Sequence, residues 1–508
     1  MSPTSTEPDI ASGVQSHPNP AASPMPAGAV MAAVALVSFA SLLLELAMTR
    51  LFSVVLFYHF AFFAISVALL GLGSGGVFAH VRRAWLLRFD LRPLGAWLCI
   101  FNSVFILLAL EVVLHTPVTL EVNSRNFGKL TVIYLVTAVP FFFTGLLFSV
   151  LFARSRGEIP VLYGADLAGG ASACLAVVPL LNFVGAPNAL LFAALAMAVA
   201  SALWAGRARM RFAALALAAG FALLMAANHS GRWVDIVYAK GVLHDPKQTE
   251  FAAWNAISRI EVNSQSDGRY IVIDADATSA VMNVEPAQWA VDQIANPTPT
   301  LTGLPAQSSF NWKKSLMSAA PSVANVLRPR GAFAIIGPGG GVDVLRAVAS
   351  GSPRVTGIEI NPAIANSIMR GRYAGYVYHL YERPPVEIHI QDGRSYVRSS
   401  SDQYDVVQMT LVDTWASTAA GAFALSENNL YTVEAFREYF DHLKPDGFIA
   451  ITRWEFKKPR EALRVVSQAI EALHRNGVAD PRRAAGRRRF SGADPVERSV
   501  EIRARLRL

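Results

Sequence analysis

Long apolar runs dominate the chain from Ala27 to Asn228 and restrict what it can become. They fall near residues 28–49, 51–79, 94–115, 130–153, 162–185 and 187–205, with a seventh near 211–228. A helix needs about 20 residues to cross the hydrocarbon core of a bilayer, and each run approaches that length. No water is available there, so each run must satisfy its backbone groups internally, as a helix. Small residues recur, as in Gly164-Ala-Asp-Leu-Ala-Gly-Gly170, and they let helix backbones approach closely in lipid. Charged residues make up only 16% of the chain, too few for an ordinary soluble protein. The expected first unit is a polytopic α-helical membrane domain over residues 27–228. Residues 1–26 are rich in Pro, Ser and Ala and contain no Lys or Arg. They lack the basic start of a signal peptide and are expected to be a disordered lead-in.

Positive charge orients such a domain. One set of alternate loops holds Arg82, Arg83, Arg88, Arg92, Arg154, Arg156, Arg207, Arg209 and Arg211; the other holds Arg50, Arg125 and Lys129. The Arg-rich set is expected in the cytoplasm together with the N-terminus. Seven crossings would then place the following domain outside, away from cytosolic nucleotide-like cofactors. Six crossings keep it in the cytoplasm, with 211–228 at the interface or packed against the bundle. The six-crossing form is the expected one, in a bacterial-type inner membrane.

Four ionisable residues fall within the runs: Glu45, His59, Glu111 and Asp166. Such groups are costly in lipid and are functional suspects by default. The plain structural reading pairs Glu45 with Arg50 and bonds Asp166 to a neighbouring helix. Gly71-Leu-Gly73-Ser-Gly-Gly76 fits a dinucleotide-binding pattern, but that pattern has meaning only between a strand and a helix. Here it lies in an apolar run, where helix packing explains it.

The formal charge of +8 does not imply nucleic-acid binding. Residues 475–508 contain ten Arg and four acids, a net +6, which leaves the rest of the chain near +2. The two cysteines, Cys99 and Cys174, both lie in apolar stretches and can form neither a disulfide framework nor a four-ligand zinc site. No metal is expected.

The composition changes after residue 229. Residues 260–274 alternate apolar and polar around Asp267-Gly268, a hairpin signal. Residues 286–310 read as a loop and 312–327 as a helix, completing a β-hairpin region and linker over 229–330. Strands and helices then alternate. Short apolar strands are expected at 332–336, 355–358, 386–390, 404–409 and 447–452, with a helix over 342–350 after the first. This order implies an α/β Rossmann-like parallel sheet over 331–475.

The distinctive residues fall at the carboxyl ends of these strands, where open α/β sheets bind ligands. Gly337-Pro-Gly339-Gly-Gly341 follows the first strand and permits a tight turn with close approach of a ligand to the backbone. Glu359 ends the second strand, at a spacing that suits a carboxylate gripping a ribose diol. Asp392-Gly393 ends the third, where a carboxylate could bond an adenine amino group. No Lys-Ser/Thr pair follows the loop, so a P-loop phosphate site is not indicated. NAD fits the same geometry, but the added acids at the third and fourth strands suit a cationic sulfonium ligand better.

Several segments are similar to a known family. Residues 336–346 (Ile-Gly-Pro-Gly-Gly-Gly-Val-Asp-Val-Leu-Arg), Gly357-Ile-Glu-Ile-Asn361, Gln391-Asp-Gly-Arg394, Leu430-Tyr-Thr-Val-Glu-Ala-Phe436 and Leu443-Lys-Pro-Asp-Gly447 resemble the spermidine synthase family. The resemblance spans about residues 255–475 and is closest to multi-spanning membrane homologues. It implies a small β-domain before an S-adenosylmethionine-dependent methyltransferase-type fold, and transfer of an aminopropyl group from decarboxylated S-adenosylmethionine to an amine. Gly337, Gly339, Gly341, Glu359, Asp392 and Gly393 match the family's nucleoside-binding positions. Asp413 matches its general base, and Tyr431 falls near an acceptor-pocket position. Trp415 is a candidate to face the sulfonium through a cation–π contact.

Other positions depart from the family. Gly341 stands where the family's loop has an Asp that holds the aminopropyl amine. Ala416 replaces the second acid of its Asp-Ser-Ser-Asp motif. The hairpin reads Ile273-Asp-Ala-Asp-Ala-Thr278, without the family's Gln. The nucleoside half of the site is kept and much of the diamine half is not. The expected function is a membrane-bound transferase with an S-adenosyl-type donor, decarboxylated S-adenosylmethionine or S-adenosylmethionine, and a small amine acceptor. A non-catalytic nucleoside sensor, a methyltransferase and an amine transporter with a degenerate domain stay open, as does a homo-oligomer. No closing antiparallel hairpin is evident after the fifth strand. Residues 476–508 are expected to be a basic, disordered tail near membrane lipid.

Overall fold

The computed structural model describes residues 27–56, 60, 62–119, 121–155, 159–231, 233–285, 316–317, 319–412, 429–454, 460–478, 485–487 and 497–503. Among these, six helices are long and apolar enough to cross a membrane. They are α1 (Ala27–Val55), α2 (Phe63–Val81), α3 (Leu91–His115), α4 (Ser124–Arg154), α5 (Ile159–Trp204) and α6 (Ala208–Ala227). The expected division of 162–205 into two runs appears inside α5 as a break at Gly185, with φ 78° and ψ 168°.

Small residues set the bundle's packing. A Cβ on Gly71 would lie 2.5 Å from the Ala138 carbonyl oxygen of α4, and one on Gly75 2.3 Å from that of Phe142. A Cβ on Gly145 would in turn meet the Leu72 carbonyl at 2.3 Å. The glycine-rich stretch of α2 is therefore a helix-contact surface. Polar groups add specific links: Asn102 Nδ2 donates to the Pro140 carbonyl and to Thr144 Oγ1, both at 2.9 Å.

One expectation inside the bundle is corrected. Arg50 pairs with Asp274 of the later β-region, not with Glu45. Residues 208–227 are packed against the bundle, one of the two placements expected for them. Gly206 sits beside Arg92 at the start of α3, whereas Asn228 bonds Asn188, just past the break in α5, at 3.0 Å. Helix α6 therefore runs lengthwise, antiparallel to the second arm of α5. His59 lies outside the described residues.

A four-stranded antiparallel sheet follows: β1 (Thr249–Trp254), β2 (Arg259–Gln265), β3 (Gly268–Ile273) and β4 (Ala277–Val281). The expected hairpin is β2–β3, closing on Gln265 opposite Gly268. Strands β1 and β4 flank it on either side, beyond what the sequence pattern indicates. The expected helix over 312–327 is present as Val323–Leu327, and the loop at 286–310 lies outside the described residues.

The second sheet contains β5 (Phe333–Ile336), β6 (Val355–Glu359), β7 (Val386–Ile390), β8 (Tyr404–Thr410) and β9 (Leu443–Trp454). All five are parallel, in the order β9-β8-β5-β6-β7. Helix α7 (Val342–Ala349) follows β5, α8 (Gly393–Ser399) follows β7, and α9 (Val433–Asp441) precedes β9. Helix α10 (Arg460–Arg475) follows β9. Apolar cores lie on both faces of the sheet, as expected for buried parallel strands.

The expected disordered tail is corrected in part. β10 (Ala485–Arg487) and β11 (Glu497–Arg503) form an antiparallel hairpin, and β11 pairs with β9 from Phe448 opposite Arg503 to Trp454 opposite Glu497. The open edge of β9 offers a row of backbone donors and acceptors, and this short segment satisfies them. A basic composition concealed the strand.

Candidate nucleoside site at the sheet switch point

The first strand β5 lies between β6 and β8, so the chain winds outward in both directions from it. The crevice at such a switch point is where open α/β sheets take ligands. A cavity of about 300 Å³ occupies it. Its floor is Gly337–Gly339 after β5, Glu359–Asn361 after β6 and Thr410–Val412 after β8. Its roof is β4 of the small sheet, through Ala277, Thr278, Ser279 and Ala280, with Ile257 and Ser258 from the β1–β2 turn.

The glycine loop has its conformation because glycine allows it. Gly337, Gly339 and Gly341 have φ of 68°, 52° and 84°, a region that other residues enter at a cost. Gly340 has no room for a side chain either: a Cβ there would lie 2.1 Å from the Ala280 carbonyl oxygen. The loop is also held by polar contacts. Gly340 N–H donates to Ser279 Oγ at 2.9 Å, and the Tyr381 hydroxyl donates to the Gly339 carbonyl at 2.7 Å.

Glu359 is the central charged group. It is 4% exposed. Its Oε2 accepts from Gly339 N–H at 3.2 Å and its Oε1 from Asn361 N–H at 2.9 Å. Burial raises its pKa above the ordinary carboxylate value, and the N–H groups of Asn361, Gly339 and Ile360 oppose that rise. A buried carboxylate with acceptor lone pairs beside the loop is suited to two hydroxyl donors, as in a ribose diol.

Asn361 ties this group to the rest of the chain. Asn255 Nδ2 donates to Asn361 Oδ1 at 2.8 Å, and Asn361 Nδ2 donates to Ser258 Oγ at 2.6 Å. The same β1–β2 turn reaches the bundle: Ala256 N–H donates to Asn182 Oδ1 at 2.8 Å, and Trp254 packs against Gly185. The cavity is thus one turn of chain away from the break in α5.

Among the expected site residues, Gly337, Gly339 and Glu359 line the cavity together. Gly341 supports the loop from behind, against Leu380, Met369 and Tyr381. Asp392 is not among the lining residues; its Oδ1 caps α8 by accepting from Ser395 N–H at 2.8 Å. Gly393 packs on Ile336 at the end of β5. Tyr431 is buried beneath the Arg453 guanidinium, 4.7 Å from its ring centre. Asp413 and Trp415 lie outside the described residues, directly after Val412 of the cavity wall.

Sequence reasoning missed Ser279, Tyr381 and the pair Asp343–Arg346. Asp343 and Arg346 both line the cavity, joined by a 2.6 Å bond, and Arg346 Nε also donates to the Leu316 carbonyl at 2.9 Å. Their spacing of three on an amphipathic helix was a visible signal. Ser279 gave none, because its role depends on where the small sheet docks.

No protein-family model and no curated protein matches the chain. Among solved structures, it is similar to a spermidine synthase from Thermotoga maritima at 18% identity and a TM-score of 0.32, over 52% of this chain and 75% of that one. A spermidine synthase in complex with the transition-state analogue AdoDATO is similar at 16% identity and a TM-score of 0.31, over 52% and 74%. Human methyltransferase-like protein 13 in complex with SAH is similar at 14% identity and a TM-score of 0.26, over 37% and 78%.

Proposed function

We propose that the chain is a membrane-embedded transferase that binds an S-adenosyl-type donor in the switch-point cavity and passes an aminopropyl or other alkyl group to a small amine. One observation carries the reading. The buried carboxylate of Glu359 stands at the end of β6, within hydrogen-bond reach of the glycine loop, on the wall of a nucleoside-sized cavity. The family resemblance of the flanking motifs supplies the donor class.

In the proposed reaction, the amine nitrogen attacks the carbon beside the sulfonium sulfur. The new C–N bond forms as the C–S bond breaks, and its electron pair stays on sulfur to give a neutral thioether. The nitrogen then loses a proton, which Asp413 accepts as general base. Asp413 follows Val412 of the cavity wall, so the base enters the reading through its position in the chain.

A second reading is a nucleoside sensor without catalysis. It is favoured by the state of Asp343, the added acid in the cavity wall. Its carboxylate is paired with Arg346, which offsets the negative charge a substrate amine would need.

Calorimetry on the detergent-purified full chain tests the binding step. S-adenosylmethionine, its decarboxylated form and methylthioadenosine are titrated into wild type and Glu359→Ala. Binding of one or more, lost in the variant, supports the site. No binding of any of the three removes the reading. A product assay with mixed amines and Asp413→Asn then separates transferase from sensor.

A further inference from the structure

The two ends of the helical bundle differ in what they carry. At one end α1 meets the β-region: Lys240 N–H donates to the Val55 carbonyl at 2.7 Å, and Arg50 pairs with Asp274. The break at Gly185 touches Trp254 at this end, and Asn228 arrives here from α6. The loop after α3 also belongs here, because Gly241 packs on Val118 and Thr119.

The opposite end gathers the other loops. Arg154 donates to the Phe89 and Leu86 carbonyls at 2.9 and 2.8 Å, Ser201 Oγ donates to the Ala96 carbonyl at 2.8 Å, and Gly206 sits beside Arg92. The two arms of α5 on either side of Gly185 are about 39 and 28 Å long, and α6 about 30 Å. Among the described residues the bundle therefore has seven lengthwise segments. An odd number places its first residue and the following domain at opposite ends.

Charge follows the same division. The end away from the domain carries Arg82, Arg83, Arg88, Arg92, Arg154, Arg207, Arg209 and Arg211. The domain end carries Arg125, Lys129 and Arg50, and Arg50 is neutralised in its buried pair. Loops rich in Arg stay in the cytoplasm, while long domains translocate largely regardless of their own charge.

We infer that the chain crosses the bilayer seven times and that its nucleoside cavity faces away from the cytoplasm. This orientation differs from the six-crossing, cytoplasmic arrangement expected from the sequence. A preceding step follows, resting on the nucleoside reading for what the cavity holds. A donor made in the cytoplasm must first be carried across the membrane, and the acceptor is an amine of the outer compartment.

Single-cysteine labelling of the full chain tests the orientation. In a Cys99→Ala, Cys174→Ala background, Lys247→Cys reports on the domain and Leu87→Cys on the Arg-rich end. A membrane-impermeant maleimide should label Lys247→Cys on intact cells, and Leu87→Cys only after permeabilisation. The reverse pattern overturns the inference. Should the cysteine-free chain fail to accumulate, alkaline phosphatase and a fluorescent protein fused after Leu508 report the same orientation. An active phosphatase with a dark fluorescent protein supports the inference, and the opposite pair overturns it. Labelling does not depend on ligand binding, so failed calorimetry and failed topology remain distinguishable.

Discussion

Arg50, near the end of the first helix, forms a buried ion pair with Asp274, 224 residues further along the chain. Their side chains are 3% and 1% exposed. Asp274 Oδ1 also accepts from Arg259 N–H at 2.7 Å, so one carboxylate joins the bundle to two strands of the small sheet. Removing one partner leaves a desolvated charge, which costs about 3–5 kcal/mol. Arg50→Met and Asp274→Leu should each lower the thermal midpoint of the purified protein, and the double variant should recover part of the loss. Purely additive effects in the cycle would show that the pair has no energetic coupling.

Glu359 gives the site a pH signature. Its folded pKa is raised by burial, so the folded state holds its proton up to a higher pH than the unfolded state does. Between those two values stability falls as pH rises, and the charged group destabilises the empty protein above them. Glu359→Gln should therefore leave the unliganded protein as stable as wild type, or more so, at neutral pH. Nucleoside binding should fall about 10- to 100-fold, the loss expected for hydrogen bonds to a charged acceptor. In the wild type, affinity should fall as the carboxylate protonates on acidification. An affinity that does not fall on acidification would argue against an ionised Glu359 as the diol acceptor.

Gly340 tests the closeness of the loop and the small sheet. A methyl group there meets the backbone of Ala280 rather than a side chain that can turn away. Gly340→Ala should cost about 1–3 kcal/mol as an overpacked contact and abolish nucleoside binding by lifting β4 from the cavity. Wild-type affinity in this variant would show that the roof is not part of the site.

Two glycines of α2 make a paired comparison. Gly75 meets the backbone of α4, whereas Gly73 has nothing within 4 Å of its would-be Cβ. Gly75→Ala should destabilise the bundle by about 1–3 kcal/mol. Gly73→Ala should be neutral or stabilising by up to about 1 kcal/mol, through helix propensity. Equal thermal shifts for both would reject the α2–α4 contact.

The closing hairpin protects an edge. Deleting residues 485–508 leaves β9 unpaired on one side from Phe448 to Trp454, a template for association. Light scattering should show aggregation of the truncated protein. The β5–β8 pairing beneath the cavity should persist.

The sequence alone settled what local pattern controls. A run of apolar residues long enough to cross lipid has to be helical, and Gly71 and Gly75 of α2 and Gly169 of α5 mark where helices touch. The glycine loop and Glu359 were legible because strand, turn and strand-end carboxylate follow one another in the chain. The tertiary structure decided what depends on distant partners. Arg50 has Glu45 five residues away, yet it pairs with Asp274, because the domain docks on the end of α1. Asp392 is recognisable as a strand-end acid, but its helix claims an oxygen for a cap. The direction of α6 rests on Asn188 and Asn228 meeting at the domain end of the bundle. The strand at 497–503 exists because β9 offers it an open edge. Backbone periodicity is a property of a few neighbouring residues, whereas the choice of partner is a property of the whole packed chain.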